Sequence, residues 1–452
     1  MTQPQPEETA RPASLRQPPG STGIPYIGEA LHFLEDPFAF TLSRTRKHGN
    51  VWKTKILGDT VVFFAGPQAF SFFMNPDHFT RQNASPRFMQ ELLHPDAVPF
   101  LDGDRHRTRK RLLMAAFTEP ALASYLPGIF KIVQRFVDRW CVAAPQPIAS
   151  DLSQLGFDVA DFLFAASDPG TSNLEGAADF AVMNKGAFAA PINLPFMAYG
   201  KAIRARDRLR KYIKERVATQ DGAGTALGVL KAARGPAGEQ LSAAELEIEI
   251  LHFFFAAHGG LTAAIAWLLV VLGQQLELAV RLRAEADHVF GADAAPTFAQ
   301  VQQLAQARAV SREVLRAYPI APSTFIGVAR RDLEHDGYAI RAGWKGAGAI
   351  WATLQDGTTF RDPTQFRGDR LGDAAFGALP TNAYVPQGGG PMEGHRCPGE
   401  TLLQLVMPAF LGWFVRRYDV VFPAQDVTPG GGGLGPLPRD GVRLAVQRRG
   451  PS

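Results

Sequence analysis

The chain has 452 residues, 46% of them hydrophobic and 10% aromatic, enough to bury a large core. Its formal net charge of +4 is small for that length, and no Lys/Arg block is interleaved with aromatics, which argues against a nucleic-acid partner. Two cysteines exclude a disulfide framework.

Residues 1–23 are polar and proline-rich and read as a disordered segment. They hold no apolar signal core and no integral membrane anchor, so a cytoplasmic protein is expected, with one large domain over residues 24–452. Hydrophobic periodicity predicts helices at 37–47, 67–74, 106–117, 120–141, 152–166, 203–220, 243–274, 277–290, 298–317 and 401–418. Strands are expected at 51–57, 60–65, 324–329, 338–340 and 442–447. Gly and Pro cluster between these runs, and there is no internal repeat. This pattern predicts a mainly α fold: a single large helix-rich domain with small β-sheets.

The run 250–272 is apolar all round and long enough to span a bilayer. It carries His252, His258, Gly259, Gly260 and Thr262 in its first half and has no flanking basic cluster, so it reads as the central helix of a large soluble fold. Near the C-terminus, Gly430-Gly431-Gly432-Gly433-Leu434-Gly435 satisfies G-x-G-x-x-G. Pro436 and Pro438 follow it instead of a helix, so it reads as a flexible loop and not as a dinucleotide site.

Cys397 ends the loop Gly388-Gly389-Gly390-Pro391-Met392-Glu393-Gly394-His395-Arg396-Cys397, directly before an apolar helical run. A thiol at a helix N-terminus faces unpaired N–H groups and the positive end of the dipole, which favours its thiolate. Glycines such as Gly390 let a flat ligand approach the backbone. One thiolate without companion cysteines suits an axial heme ligand better than zinc, and an inert buried thiol is the competing reading. Upstream, Glu313 and Arg316 stand three residues apart on one helical face, a spacing that alone marks an ordinary surface ion pair.

Glu313-Val314-Leu315-Arg316, then Tyr318-Pro319, then extended segments and the cysteine loop resemble, in that order, the cytochrome P450 superfamily of heme-thiolate enzymes. The resemblance runs from Pro18-Pro19-Gly20 and Pro25-Tyr26-Ile27-Gly28-Glu29 to the C-terminal strand. It implies heme b, with Cys397 as the proximal ligand of its iron and His395 and Gly390 beside the cofactor. It also implies that His106 and Lys110, four apart on one helix face, reach a heme propionate. A solvated helix face is the competing reading of the basic run 106–111. Glu313 and Arg316 become structural, tied to Arg367-Gly368-Asp369-Arg370.

Phe255-Ala256-Ala257-His258-Gly259-Gly260-Leu261-Thr262 resembles the family's distal Ala-Gly-x-(Asp/Glu)-Thr stretch, with Gly259 in place of the acid and Gly260 in place of the threonine. In the monooxygenases that pair relays protons during oxygen activation, so His258, Gly259, Gly260 and Thr262 are the candidate catalytic positions. Two glycines inside a helix cost about 1 kcal/mol each. Admission of substrate or water beside the heme and simple helix distortion are the two readings of that cost.

Arg81-Gln82-Asn83-Ala84-Ser85-Pro86 and the long cysteine loop resemble the fatty-acid peroxygenase branch, whose carboxylate-holding Arg-Pro pair is replaced here by Gly259-Gly260. Residues 227–274 resemble the retinoid- and terpenoid-oxidising branch. The expected function is oxidation or rearrangement of an apolar small molecule (terpenoid, lipid or polyketide-like) with non-standard oxygen activation. Ferredoxin and ferredoxin reductase, or hydrogen peroxide instead, are the expected partners. A redox-neutral isomerase, dehydratase or cyclase stays open, as does a non-catalytic heme-binding sensor. Phe100, Phe255, Ala256, Ala257 and Phe325 are the expected substrate-pocket residues.

Overall fold

A capping box starts the central helix: Ser242 Oγ accepts from Glu245 N at 3.2 Å, and the Glu245 carboxylate accepts from Ser242 N at 2.9 Å. From there Ala243–Gln274 runs for 32 residues. The helix is long and apolar enough to cross a membrane, yet 89% of its most apolar window is buried by protein. Helix Ala149–Ala165 crosses it at Gly156, where a Cβ would collide with Thr262 Oγ1. Helices Ala198–Thr219, Ala305–Ala317 and Glu400–Arg417 also pack against it.

The structure, a computed structural model, describes residues 15–187, 189–291, 295–430 and 435–450. Strands Val51–Ile56, Asp59–Phe64, Lys345–Gly348, Gly327–Ala329 and Phe79–Thr80 form a five-stranded sheet in that order. Val51 pairs with Phe64 in the antiparallel hairpin, and Asp59–Phe64 pairs with Lys345–Gly348 in parallel. Gln146–Pro147, Arg443–Arg448 and Tyr418–Val421 make a three-stranded sheet. One hydrophobic core joins most of the helices, with Trp140 and Trp267 fully buried in it. The architecture is the expected one, a mainly α single domain with small sheets.

Three expectations need correction. The predicted helix 298–317 breaks at Leu304 into Phe298–Gln303 and Ala305–Ala317. The cause is remote in sequence: the Glu285 carboxylate accepts from Gln306 N at 2.7 Å and from Ala307 N at 3.0 Å, capping the second piece. Of the segment 1–23 expected to be disordered, residues 1–14 lie outside the described residues, but 15–23 run along strand edges. There Lys53 N in the five-stranded sheet donates to Pro19 O, and Ala339 N in the separate two-stranded sheet of Leu333–His335 and Tyr338–Ile340 donates to Arg16 O, both at 2.8 Å, so two strand edges hold the segment. Of the glycine run expected to be a flexible loop, residues 431–434 lie outside the described residues. Its two ends are held: Gly430 pairs with Leu437, and Gly435 N donates to Ile320 O at 2.7 Å.

Candidate functional site

Cys397 lies just ahead of helix Glu400–Arg417, whose N-cap is Gly399. Its own N–H points to Gln387 O at 3.4 Å. The loop before it is held from several sides. Asn382 Oδ1 accepts from Gly390 N at 2.7 Å, and Asn382 Nδ2 reaches Ser71 Oγ at 2.8 Å. Gly390 adopts φ 81°, a left-handed conformation that favours glycine. Arg396 grips Glu400 through two bonds of 2.6 Å each. Burial pushes the Cys397 thiol up, outweighing the N–H groups of Gly399 and Glu400 and the Lys110 charge. The helix end thus favours the thiolate as expected, while lost hydration of the charged form opposes it in the absence of a bound metal ion.

A group of cationic and imidazole side chains gathers beside this loop. Lys110, on helix Gly103–Met114, donates Nζ to the carbonyl of Arg396, the residue before Cys397. His106, one turn earlier, lies ring against ring with His395 at 4.1 Å between centroids. Arg81 enters from the end of strand Phe79–Thr80, donates to Phe325 O at 2.6 Å and covers the Phe73 ring. Burial draws Lys110 down to about 8, Arg81 down to about 10 and His106 down to about 3. Lys110 and Arg81 are thus buried cations still charged at neutral pH, whose hydrogen bonds go to carbonyls and a thioether rather than to carboxylates. Asp102 supports the Arg81 charge and Glu400 the Lys110 charge only from a distance, so burying both cations remains costly. The solvated face considered for 106–111 does not hold for His106, Arg109 and Lys110, all of which are buried.

The central helix presents two different faces. His258 Nε2 meets Ser153 Oγ at 3.0 Å, its ring packs on Phe180, and Thr262 Oγ1 donates to Leu152 O at 3.3 Å. Both side chains thus face helix Ala149–Ala165. Gly260 points elsewhere: a Cβ there would meet Ile320 Cδ1 at 3.4 Å and Leu403 Cδ1 at 3.7 Å. Leu403 follows Cys397 on the helix that the cysteine loop enters. The candidate catalytic roles of His258 and Thr262 are corrected accordingly, because two residues along a helix turn a side chain through roughly 200°. Gly259 leaves only its backbone, and its carbonyl lies against Gly435.

Ala256 shares the face of Gly260, one turn away, and is exposed within an otherwise buried stretch, with Ala257 half-buried beside it. Phe100 is buried and meets Phe325 edge-on at 5.8 Å. Phe255 is buried on the same helix. Phe253 and Phe254 pack into the core, against Phe164 and Phe157.

Glu313 and Arg316 are both fully buried and joined by two bonds of 2.7 and 2.8 Å. Glu313 Oε1 also accepts from Arg367 N and from Arg370 Nε, each at 3.0 Å, so the tie to 367–370 is present. Two residues of the site were missed as such in the sequence, Arg81 and Asp102. The Asp102 carboxylate accepts from Arg81 N at 2.6 Å and Gln82 N at 2.9 Å and faces His395. The Asp102-Gly103 pair before the helix was its only signal, and it reads locally as an ordinary helix start.

One thiol, two buried cations whose side chains bond no carboxylate directly, two imidazoles in ring contact and a helix face of small residues fit heme. That cofactor asks for one thiolate on iron, partners for two carboxylates and room above a flat ring. The cytochrome P450 family model matches residues 18–167 and 199–431. A putative cytochrome P450 120 from Synechocystis sp. (strain PCC 6803) is 32% identical, over 96% of this chain and 97% of its own. Abscisic acid 8'-hydroxylase 3 of Oryza sativa subsp. indica is 29% identical, over 92% of this chain and 84% of its own. The structure of retinoic-acid-bound cyanobacterial CYP120A1 superposes with a TM-score of 0.88 at 30% identity, covering 96% of this chain and all of that one. Cytochrome P450SP alpha (CYP152B1) shares the fold, with a TM-score of 0.77 at 23% identity over 93% of this chain and 99% of its own. The chain belongs to the cytochrome P450 family, and is an oxidoreductase that carries heme b on a cysteine thiolate.

Proposed function

We propose that Cys397 is that thiolate and that the enzyme oxidises an apolar isoprenoid-type molecule, with the proton for oxygen activation drawn from water or from the substrate. The reading is carried by the face of Gly260. It lies between Ile320 and Leu403 with no side chain, while His258 and Thr262 are committed to the neighbouring helix. No acid or alcohol of this helix turn therefore stands where the family's relay does. Retinoic acid and abscisic acid, named for two relatives, are both isoprenoid carboxylic acids and supply the substrate class.

Bound heme supplies the oxidising chemistry. The chain's own residues hold and shield it. Lys110 and Arg81 offer charge to the propionates, and His106 and His395 offer ring edges beside them. Arg396 and Glu400 clamp the loop so that the thiol is presented in one place. Phe100, Phe255 and Phe325 would line an apolar chamber, with Ala256, Ala257 and Gly260 leaving room along the helix.

Electron counting tests this reading. Purified protein is incubated with retinoic acid as probe under three conditions: with ferredoxin, ferredoxin reductase and NAD(P)H; with hydrogen peroxide alone; and with neither. Oxidised product in either of the first two conditions supports it. Isomerised or dehydrated product in the third replaces it with redox-neutral chemistry. Bound heme with no product and no substrate-induced spectral change leaves a sensor.

A further inference from the structure

Asp102 directly precedes helix Gly103–Met114, where an aspartate ordinarily caps the first turn, yet its side chain makes no cap bond. Giving up such a cap is unfavourable to the helix. The carboxylate is used elsewhere. One oxygen, Oδ2, accepts from Arg81 N at 2.6 Å, from Gln82 N at 2.9 Å and from the Thr80 hydroxyl. The other, Oδ1, lies 3.4 Å from His395 Nε2. Two segments far apart in sequence, 80–82 and 395, therefore meet on one side chain that is 13% exposed, with Arg330 also 3.9 Å from Oδ2. Each delivers a group to the cationic cluster: Arg81 continues to Phe325 O, and His395 lies on His106. Burial alone would raise the Asp102 carboxyl, but bonds from His395, Thr80, Gln82 and Arg81 hold it well below the usual range. A full negative charge is thus fixed among these groups.

We propose that Asp102 is a positioning residue for the cofactor: it sets Arg81 and His395 in register, so that the cluster meets the anionic edge of heme as one preformed surface. The same carboxylate joins the segment carrying Phe100 to the cysteine loop, which couples cofactor retention to the Phe100–Phe325 contact. This inference rests on the reading that Cys397 holds heme.

The test is the rate of heme transfer from ferric holoprotein to excess apomyoglobin, together with the reduction potential. Wild type, Asp102→Asn, His395→Ala and the double variant are compared. Outer-shell partners of this kind typically change metal-site affinity by about 10–100-fold. We expect Asp102→Asn to lose heme at least about tenfold faster and to shift the potential upward, since a negative charge near the ring is removed. In the His395→Ala background the same change should have a smaller effect, because the shared contact is already gone. If Asp102→Asn does not accumulate, Thr80→Val removes one donor to the same oxygen and reads the same change at smaller amplitude. Wild-type heme loss and potential in these variants, or strictly additive effects in the double variant, would overturn the assignment. Wild-type protein with a strongly red-shifted band under carbon monoxide and an unaffected Asp102→Asn sinks only this inference. Wild-type protein that binds no heme sinks it together with the Cys397 reading.

Discussion

His258 and Gly260, two residues apart on the central helix, face different neighbours. His258 Nε2 sits 3.0 Å from Ser153 Oγ, whereas a Cβ on Gly260 would touch Ile320 and Leu403. The side chain nearest in sequence to the missing relay is thus turned away from the face where a relay would act. In the proposed reading, an acid–alcohol pair missing from this face is not compensated by His258.

Gly260→Thr places an alcohol on this face, with its Cβ at packing distances of 3.4 and 3.7 Å from Ile320 and Leu403. Product formed per NAD(P)H consumed should rise in this variant, and peroxide-driven turnover should not rise in parallel. Gly260→Ala should stabilise the protein by about 0.5–1 kcal/mol through helix propensity alone. Chemical denaturation of both variants checks the second statement, and product counting the first.

His258 gives a pH dependence of known sign. Burial lowers it from 6.5 to about 4. Between those values the unfolded chain binds more protons than the native one, so stability rises with pH across the window and is lost as pH falls from 6.5 toward 4. His258→Gln lacks this titration. The stability gap between wild type and variant should therefore narrow from pH ~7.5 to pH ~5, as read by denaturant midpoints.

Much of this was legible in the chain. The central helix was bounded correctly from its apolar run, and the cysteine loop stood out as glycine followed by an apolar helix. What escaped depends on contacts between distant segments. No local pattern tells that Glu285 caps a helix some twenty residues on, or that Asp102 spends its carboxylate on Arg81 and His395. The helix position of Cys397 was visible in sequence, whereas the burial that opposes its charge was not. The roles of His258 and Thr262 were misread because their partners lie on another helix.

Removing Arg316 exposes the cost of a buried pair. Glu313 would be left with no solvent access and only the bonds from Arg367 and Arg370. Arg316→Ala should cost about 3–5 kcal/mol. Arg316→Lys should also be destabilising, because an ammonium cannot reproduce the two-bond fork to the carboxylate. Yield of folded protein and urea midpoints read both.

Lys110→Met should separate folding from cofactor binding. The apoprotein loses a buried cation and should unfold at the same denaturant concentration as wild type or higher. Heme transfer to apomyoglobin should be faster by about tenfold. A variant that loses apoprotein stability and keeps its heme would reverse the role given to Lys110.

The most direct measurement is the absorption spectrum of dithionite-reduced protein under carbon monoxide, for wild type and Cys397→Ala. A strongly red-shifted Soret band in wild type and its absence in the variant is the predicted result, with Cys397 as the axial thiolate. The same shifted band in both proteins, or an unshifted band in wild type, would contradict the assignment on which the site is built.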